Sequence, residues 1–216
     1  MLIIAHRGYW IDSCEKNTGI AFSRAIRHGF GIETDVRDYM GEMVISHDIT
    51  KASNNYQTLD NFLYQYDKSS KKSELHPKLA INIKSDGLFD NIQKILVKHS
   101  IDNYFIFDMS VPDSLRYLDN GMIVFSRKSE LENPNNFKSM YDGLWVDQFY
   151  NTWYTENNIM NLINQWNALC FVSPELHGSS YTACWRALKS IEEKTSMELM
   201  ICTDYPVKAR KYFNDK

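Results

Sequence analysis

The chain contains no C-x-x-C pair: its four cysteines, Cys14, Cys170, Cys184 and Cys202, are scattered. That spacing argues against a zinc site and a disulfide framework, and fits a reducing compartment. Nor is there a large excess of one charge. With 24 Lys and Arg against 27 Asp and Glu, the net charge is −3. Such a balance gives no electrostatic case for nucleic acid or an anionic membrane as partner. No apolar run approaches the roughly 20 residues of a membrane span. The opening run Leu2–Ala5 is also too short, and lacks the basic start, to be an export signal. The expected setting is cytoplasmic, without membrane insertion. No internal repeat and no linker divides the sequence.

What is present is an ordinary globular composition, 44% hydrophobic and 24% charged, over 216 residues. That length can bury one sizeable core, and residues 1–216 are expected to form one domain. Apolar runs read as strands at Leu2–Ala5, Gly31–Val36, Val44–Ser46, Leu79–Ile83, Tyr104–Phe107, Met122–Phe125, Gly143–Val146, Leu169–Val172 and Leu199–Cys202. Helical spacing lies between them. Asn17 or Thr18 caps the first helix, Gly29 stops it, and Thr58 caps the second. Pro112 suits the first turn of another helix. The lysine-rich stretch Lys68–Lys72 reads as a solvated loop, and His28, His76 and His99 as surface residues. Strand followed by helix about eight times predicts an α/β protein with a parallel sheet, and eight units suit a TIM (β/α)8 barrel.

Charged residues gather at the predicted strand ends: His6, Arg7, Glu33, Asp35, Lys84, Asp108, Arg127, Asp147, Glu175 and Asp204. Residues at i and i+2 of a strand project to the same side, so Glu33 and Asp35 sit together. Two ionised carboxylates that close repel unless a proton or a cation lies between them, and oxygen donors of this kind favour a hard cation such as Mg2+ or Ca2+. His6 and His47 flank the pair in sequence and carry groups that exchange protons near neutral pH. The combination reads as a hydrolytic site. Tyr9, Trp10, Trp145, Phe149 and Trp153, near predicted strand ends, are candidate cleft residues.

The order His6-Arg7-Gly8, Glu15, Asn17-Thr18, Ala21-Phe22, Ala25, Gly29, Glu33-x-Asp35-Val36, Gly41 and His47-Asp48 resembles the glycerophosphodiester phosphodiesterases. Thr203-Asp204-Tyr205-Pro206 is similar to that family's last barrel strand. The resemblance implies a TIM barrel and metal-dependent cleavage of a phosphodiester of a glycerol-like alcohol. It implies His6 and His47 as the acid–base pair, Arg7 on the phosphate, and Glu33 and Asp35 as ligands of one divalent cation, Mg2+ or Ca2+, with Mn2+ as a further choice. Glu15 and Asn17 then brace the first loop and cap the helix.

Three departures stand out. Cys14-Glu15-Lys16-Asn17-Thr18 lacks the family's proline and carries one extra residue. The family's third acidic ligand, in an E-x-K motif, is here Asn82 in Asn82-Ile83-Lys84, which removes one negative charge from the site. Ser173–Gly178 differs from the family's aromatic-rich segment, and Glu175 within it is the first candidate for the missing ligand, ahead of Asp147 and Asp108. Lys84, Arg127 and His177 complete the candidate phosphate- and substrate-binding residues. The expected partner is a small-molecule phosphodiester. Two other readings use the same residues. A phosphodiester lyase of the phospholipase C or sphingomyelinase D kind would release a cyclic phosphate, and a non-catalytic barrel would bind phosphodiesters or sugar phosphates without turnover.

Overall fold

The apolar run at the start becomes strand β1 (Leu2–Ala5), and the next glycines set the chain's first turns. The structure, a computed structural model, describes residues 1–151, 153 and 155–214, and of residues 135–137 the backbone alone. It resolves into two compact units, Ala5–Ile123 and Met1–Ile4 with Val124–Lys216.

In the unit Ala5–Ile123, helix α1 (Gly19–His28) starts at Thr18, whose extended backbone makes it the N-cap, and turns its Ala21, Phe22, Ala25 and Ile26 inward. Gly29 ends it in the left-handed region (φ 66°), its N–H on the Ile26 carbonyl at 2.9 Å. Strand β2 (Gly31–Tyr39) follows, with Gly31–Val36 buried throughout. Met40 and Gly41, both left-handed, turn the chain into β3 (Glu42–Ile45), which runs antiparallel to β2 with Val36 opposite Ile45. Helix α2 (Leu59–Ser73) is capped by Thr58, whose Oγ1 accepts the Asn61 N–H at 3.1 Å. Strand β4 (Leu79–Ile83) pairs parallel to β2, placing Asn82 beside Asp35. Helix α3 (Phe89–Lys98) and strand β5 (Tyr104–Phe107), parallel to β4, come next. Helix α4 (Val111–Asp119) has Ser110 as its cap and Pro112 in its first turn. The parallel strands here run β5-β4-β2.

The second unit repeats the scheme with β6 (Phe125–Lys128), β7 (Gly143–Val146), α5 (Glu156–Ile163), β8 (Leu169–Val172), α6 (Thr182–Glu192), β9 (Leu199–Thr203) and α7 (Pro206–Asn214). Strands β6, β7, β8 and β9 pair in that order, all parallel. Each of β7, β8 and β9 is buried end to end, as expected of parallel strands covered on both faces. Thr155 and Asn158 close α5 with a capping box.

Three elements differ from expectation. Lys68–Lys72 is the continuation of α2 and not a loop. Lysine is a good helix former, Asp67 and Lys71 pair one turn apart at 2.7 Å, and Ser70 is buried, so the segment is stabilised by its surroundings. The strand expected at Met122–Phe125 lies at Phe125–Lys128. Its register is set by Phe125 opposite Gly143. A Cβ on Gly143 would come within 2.5 Å of the Phe125 ring, so only glycine there admits that ring. His99, expected at the surface, has a side chain only 8% exposed, and its Nε2 meets Asp60 at 2.9 Å.

Candidate functional site

The site grows from the first turn after β1. Gly8 takes φ 83°, and a Cβ there would meet the Ala21 Cβ at 2.8 Å, so the turn packs directly on α1. That close packing fixes His6 and Arg7 just before it. Arg7 itself is left-handed (φ 57°), as are Asn17 (φ 59°) and Asp108 (φ 80°). Non-glycine residues held in this region cost energy and cluster at functional sites. The Arg7 carbonyl accepts the Asn17 N–H at 2.9 Å, which locks two of these positions together.

Glu33 and Asp35 are each 1% exposed, side by side on β2. Glu33 Oε2 accepts the Arg7 backbone N–H at 3.1 Å and lies 3.9 Å from His6 Nε2. Asp35 Oδ2 accepts from Asn17 Nδ2 at 2.8 Å and lies 3.0 Å from Arg7 Nε, while Oδ1 is 3.4 Å from Lys84 Nζ. Lys84 also reaches Asp108 at 3.2 Å. Burial, and then the neighbouring Asp35 charge, push the Glu33 carboxyl above its ordinary range, against the opposing pull of His6, Arg7 and Lys84.

His47 leaves the end of β3, where Ser46 N–H bonds the Asp35 carbonyl at 3.1 Å. Its Nδ1 is 2.8 Å from Asp48 Oδ1, its carbonyl accepts from Arg37 at 3.1 Å, and its side chain is 45% exposed. Arg7 and His47 line one cleft of about 310 Å³. Seven of the ten candidate site residues therefore share one unit: His6, Arg7, Glu33, Asp35, His47, Asn82 and Lys84.

Among the described residues, no group of three or more His, Cys, Asp and Glu side chains is arranged to hold a metal ion. An amide stands beside Glu33 and Asp35. Asn82 gives its Nδ2 to Glu33 Oε1 at 3.4 Å, and its buried Oδ1 has no hydrogen-bond partner. A buried carbonyl oxygen beside two carboxylates suits a hard cation, so these residues fit one.

Arg127, Glu175 and His177 lie in the other unit. Glu175 is hydrogen-bonded at both oxygens: Ser173 Oγ donates to Oε2, and Thr203 Oγ1 and the Asp204 N–H donate to Oε1. It ties the end of β8 to the end of β9. Arg127 holds Glu132 with two nitrogens, at 2.6 and 2.8 Å. His177 Nε2 meets Asp147 Oδ1 at 2.8 Å, and this bond raises its pKa above the ordinary histidine value despite partial burial. Of the aromatics, Trp10 donates to the His6 carbonyl at 3.1 Å and Trp153 to the Asp147 carbonyl at 2.8 Å.

Sequence reasoning placed Glu15 and Asn17 as braces of the first loop. Glu15 is one: it accepts the Ile11 N–H at 2.9 Å and Arg24 Nη1 at 2.7 Å, and the Arg24 hydrogen bond, first among its contacts, holds its carboxyl down at about 2. Asn17 does more, because its amide spans Thr34 Oγ1, at 3.0 Å, and Asp35. No local pattern in the sequence signals that reach.

No protein-family model and no curated protein sequence matches the chain. Solved structures do. The chain is similar to a glycerophosphodiester phosphodiesterase from Parabacteroides distasonis ATCC 8503, with TM-score 0.65 and 16% identity over 98% of this chain and 96% of the other. The fold is the TIM (β/α)8 barrel. An Oleispira antarctica phosphodiesterase, solved with its product sn-glycerol-3-phosphate, matches the barrel at TM-score 0.67 and 14% identity over 100% of this chain and 97% of the other. A tryptophan synthase α-subunit from Pyrococcus furiosus matches at TM-score 0.59 and 11% identity, over 98% and 92%. Barrels with different chemistry thus share the likeness, and function has to be argued from the site.

Proposed function

We propose that the barrel hydrolyses a phosphodiester of a glycerol-like alcohol to an alcohol and a phosphomonoester. The observation that supports this reading is the convergence of His6, Arg7, Lys84 and the unpartnered Asn82 Oδ1 on the buried pair Glu33 and Asp35. As water attacks phosphorus, negative charge builds on the phosphoryl oxygens and on the leaving oxygen. Arg7 and Lys84, already ordered beside Asp35, supply positive charge without reorganisation. His6 and His47 act as the acid–base pair: one accepts the proton of the attacking water, and the other protonates the departing alkoxide as its bond to phosphorus breaks. Asp48 at Nδ1 of His47 leaves Nε2 as the atom that exchanges the proton. Glu33, Asp35 and Asn82 Oδ1 would hold a divalent cation, Mg2+, Ca2+ or Mn2+, which when bound supplies further positive charge for the phosphoryl oxygens.

The test is product release from a panel of glycerophosphodiesters with Mg2+, Mn2+, Ca2+ or EDTA, using the wild-type chain, His47→Ala and Glu33→Gln. Linear phosphomonoester lost in both variants by about 10²–10⁴-fold supports the reading. A cyclic phosphate product would replace it with the lyase reading, and no turnover with any metal would overturn it.

A further inference from the structure

We infer that Arg37 is the positioning residue of His47: by holding the His47 carbonyl, it fixes where this candidate acid–base group stands relative to the carboxylate pair on β2. This rests on the phosphodiesterase reading and adds to it a residue outside the motifs read from the sequence. Strand alternation puts Arg37 on the same face of β2 as Glu33 and Asp35, at i, i+2 and i+4. Its Nη2 donates to the His47 carbonyl at 3.1 Å. One strand thus carries both carboxylates and the anchor of the histidine.

His47 needs such an anchor. Its side chain is 45% exposed and that of Asp48 is 90% exposed, so packing does little to hold either. The contact of His47 Nδ1 with Asp48 Oδ1, at 2.8 Å, joins consecutive residues. It orients the ring relative to its own loop and does not set where that loop sits against the sheet. Ser46 Oγ likewise bonds within the loop, to the Asp48 carbonyl at 2.8 Å. Among the described residues, two hydrogen bonds tie residues 46–48 to β2: Ser46 N–H to the Asp35 carbonyl at 3.1 Å, and the Arg37 bond. The second acts on His47 itself.

Arg37 stands opposite the buried Val44 in the β2–β3 ladder. Its Nε is buried and, among the described residues, has no hydrogen-bond partner. A buried donor left unpaired costs stability, so stability alone would favour an apolar side chain here, and the bond to His47 is what the arginine adds. General acid–base catalysis requires the exchanging nitrogen within hydrogen-bond reach of the reacting oxygen. A displacement of about 1 Å at a catalytic group can cost on the order of 10²-fold in rate. Arg37 therefore acts on kcat, through the placing of His47, and not on substrate affinity.

The experiment measures turnover of glycerophosphoglycerol and glycerophosphoethanolamine, and amide hydrogen exchange, in the wild-type chain and in Arg37→Met. That substitution keeps an apolar stem and removes every donor; Arg37→Gln is the second variant should the first fold poorly. The expected result is a kcat lower by roughly tenfold with KM within about twofold, a part of the roughly 10²–10⁴-fold that an acid–base group supplies. Exchange should quicken at residues 46–49 and stay as in wild type along β2 and β4, the mark of a local opening. An unchanged kcat, or a loss carried by KM, overturns the positioning role, and the latter would assign Arg37 to substrate binding. Exchange at residues 46–49 equal to wild type overturns it as well, as does exchange quickened equally throughout the chain, which would make the loss one of global stability. If the wild-type chain turns over neither compound, the phosphodiesterase reading fails and the role in turnover falls with it. An active wild-type chain with an unaffected variant sinks the positioning role alone.

Discussion

Gly8→Ala is expected to be among the most damaging single changes. The left-handed backbone costs a residue with a Cβ about 1–2 kcal/mol. The new methyl would also press on the Ala21 Cβ and backbone at 2.8 and 2.9 Å. Overpacking of this kind costs about 1–3 kcal/mol, so denaturant unfolding should report a loss of about 2–5 kcal/mol in total. Activity should fall beyond that loss, because the same turn holds His6 and Arg7. Asn17→Ala tests a narrower role. Its amide orients Asp35, so the variant should keep its fold and lose about tenfold in kcat/KM, a loss on the scale of one hydrogen bond to a charged group. An unchanged kcat/KM would show that Arg7 and Lys84 orient Asp35 unaided.

The loop after β7 and the short 3₁₀ turn Pro174–His177 after β8 meet through Asp147 and His177. The His177 pKa is raised by Asp147, so its contribution to stability is fully present below the unfolded-state value of about 6.5 and disappears as pH rises through the folded-state value. Asp147→Asn should therefore lower Tm by about 2–4 °C at pH 6, as expected for a loss near 1 kcal/mol in a chain of this size. At pH 9 the deficit should shrink. Equal deficits at both pH values would refute the charge pairing, as would a histidine titration, followed by NMR, that Asp147→Asn leaves in place.

For the barrel as a whole, a divalent cation that binds the folded chain alone stabilises it by mass action, about 2.7 kcal/mol at one hundred times its Kd. At about 2–4 °C per kcal/mol this is a rise of roughly 5–10 °C in Tm. Mg2+, Ca2+ and Mn2+ titrations followed by thermal unfolding would measure it without any assay of turnover. Asn82→Glu adds a third carboxylate beside Glu33 and Asp35 and should tighten the apparent Kd, while costing stability in the metal-free chain because three buried carboxylates repel. No Tm response to any of the three cations, in the wild-type chain or in Asn82→Glu, would remove the cation from the proposal.

Strand identities followed from apolar runs bounded by breakers, and β1, β4, β5, β7 and β8 lie at the residues that this local pattern indicates. The same holds for the caps at Thr18 and Thr58, because capping depends on residues only a few positions apart. The neighbourhood of Glu33 and Asp35 was legible too, since strand alternation is a local rule. Other features depended on partners distant in the chain. Glu175 has the residue type of a metal ligand, yet its oxygens are taken by Ser173, Thr203 and Asp204, the last two nearly thirty positions away. Lys68–Lys72 reads as a loop by composition, and it is helical where Ser70 can be buried and Asp67 can pair with Lys71. Asn17 reads as a cap, and packing turns its amide to Asp35. Local geometry thus settles which residues arrive at the strand ends, whereas long-range packing decides which of their polar atoms remain available for chemistry.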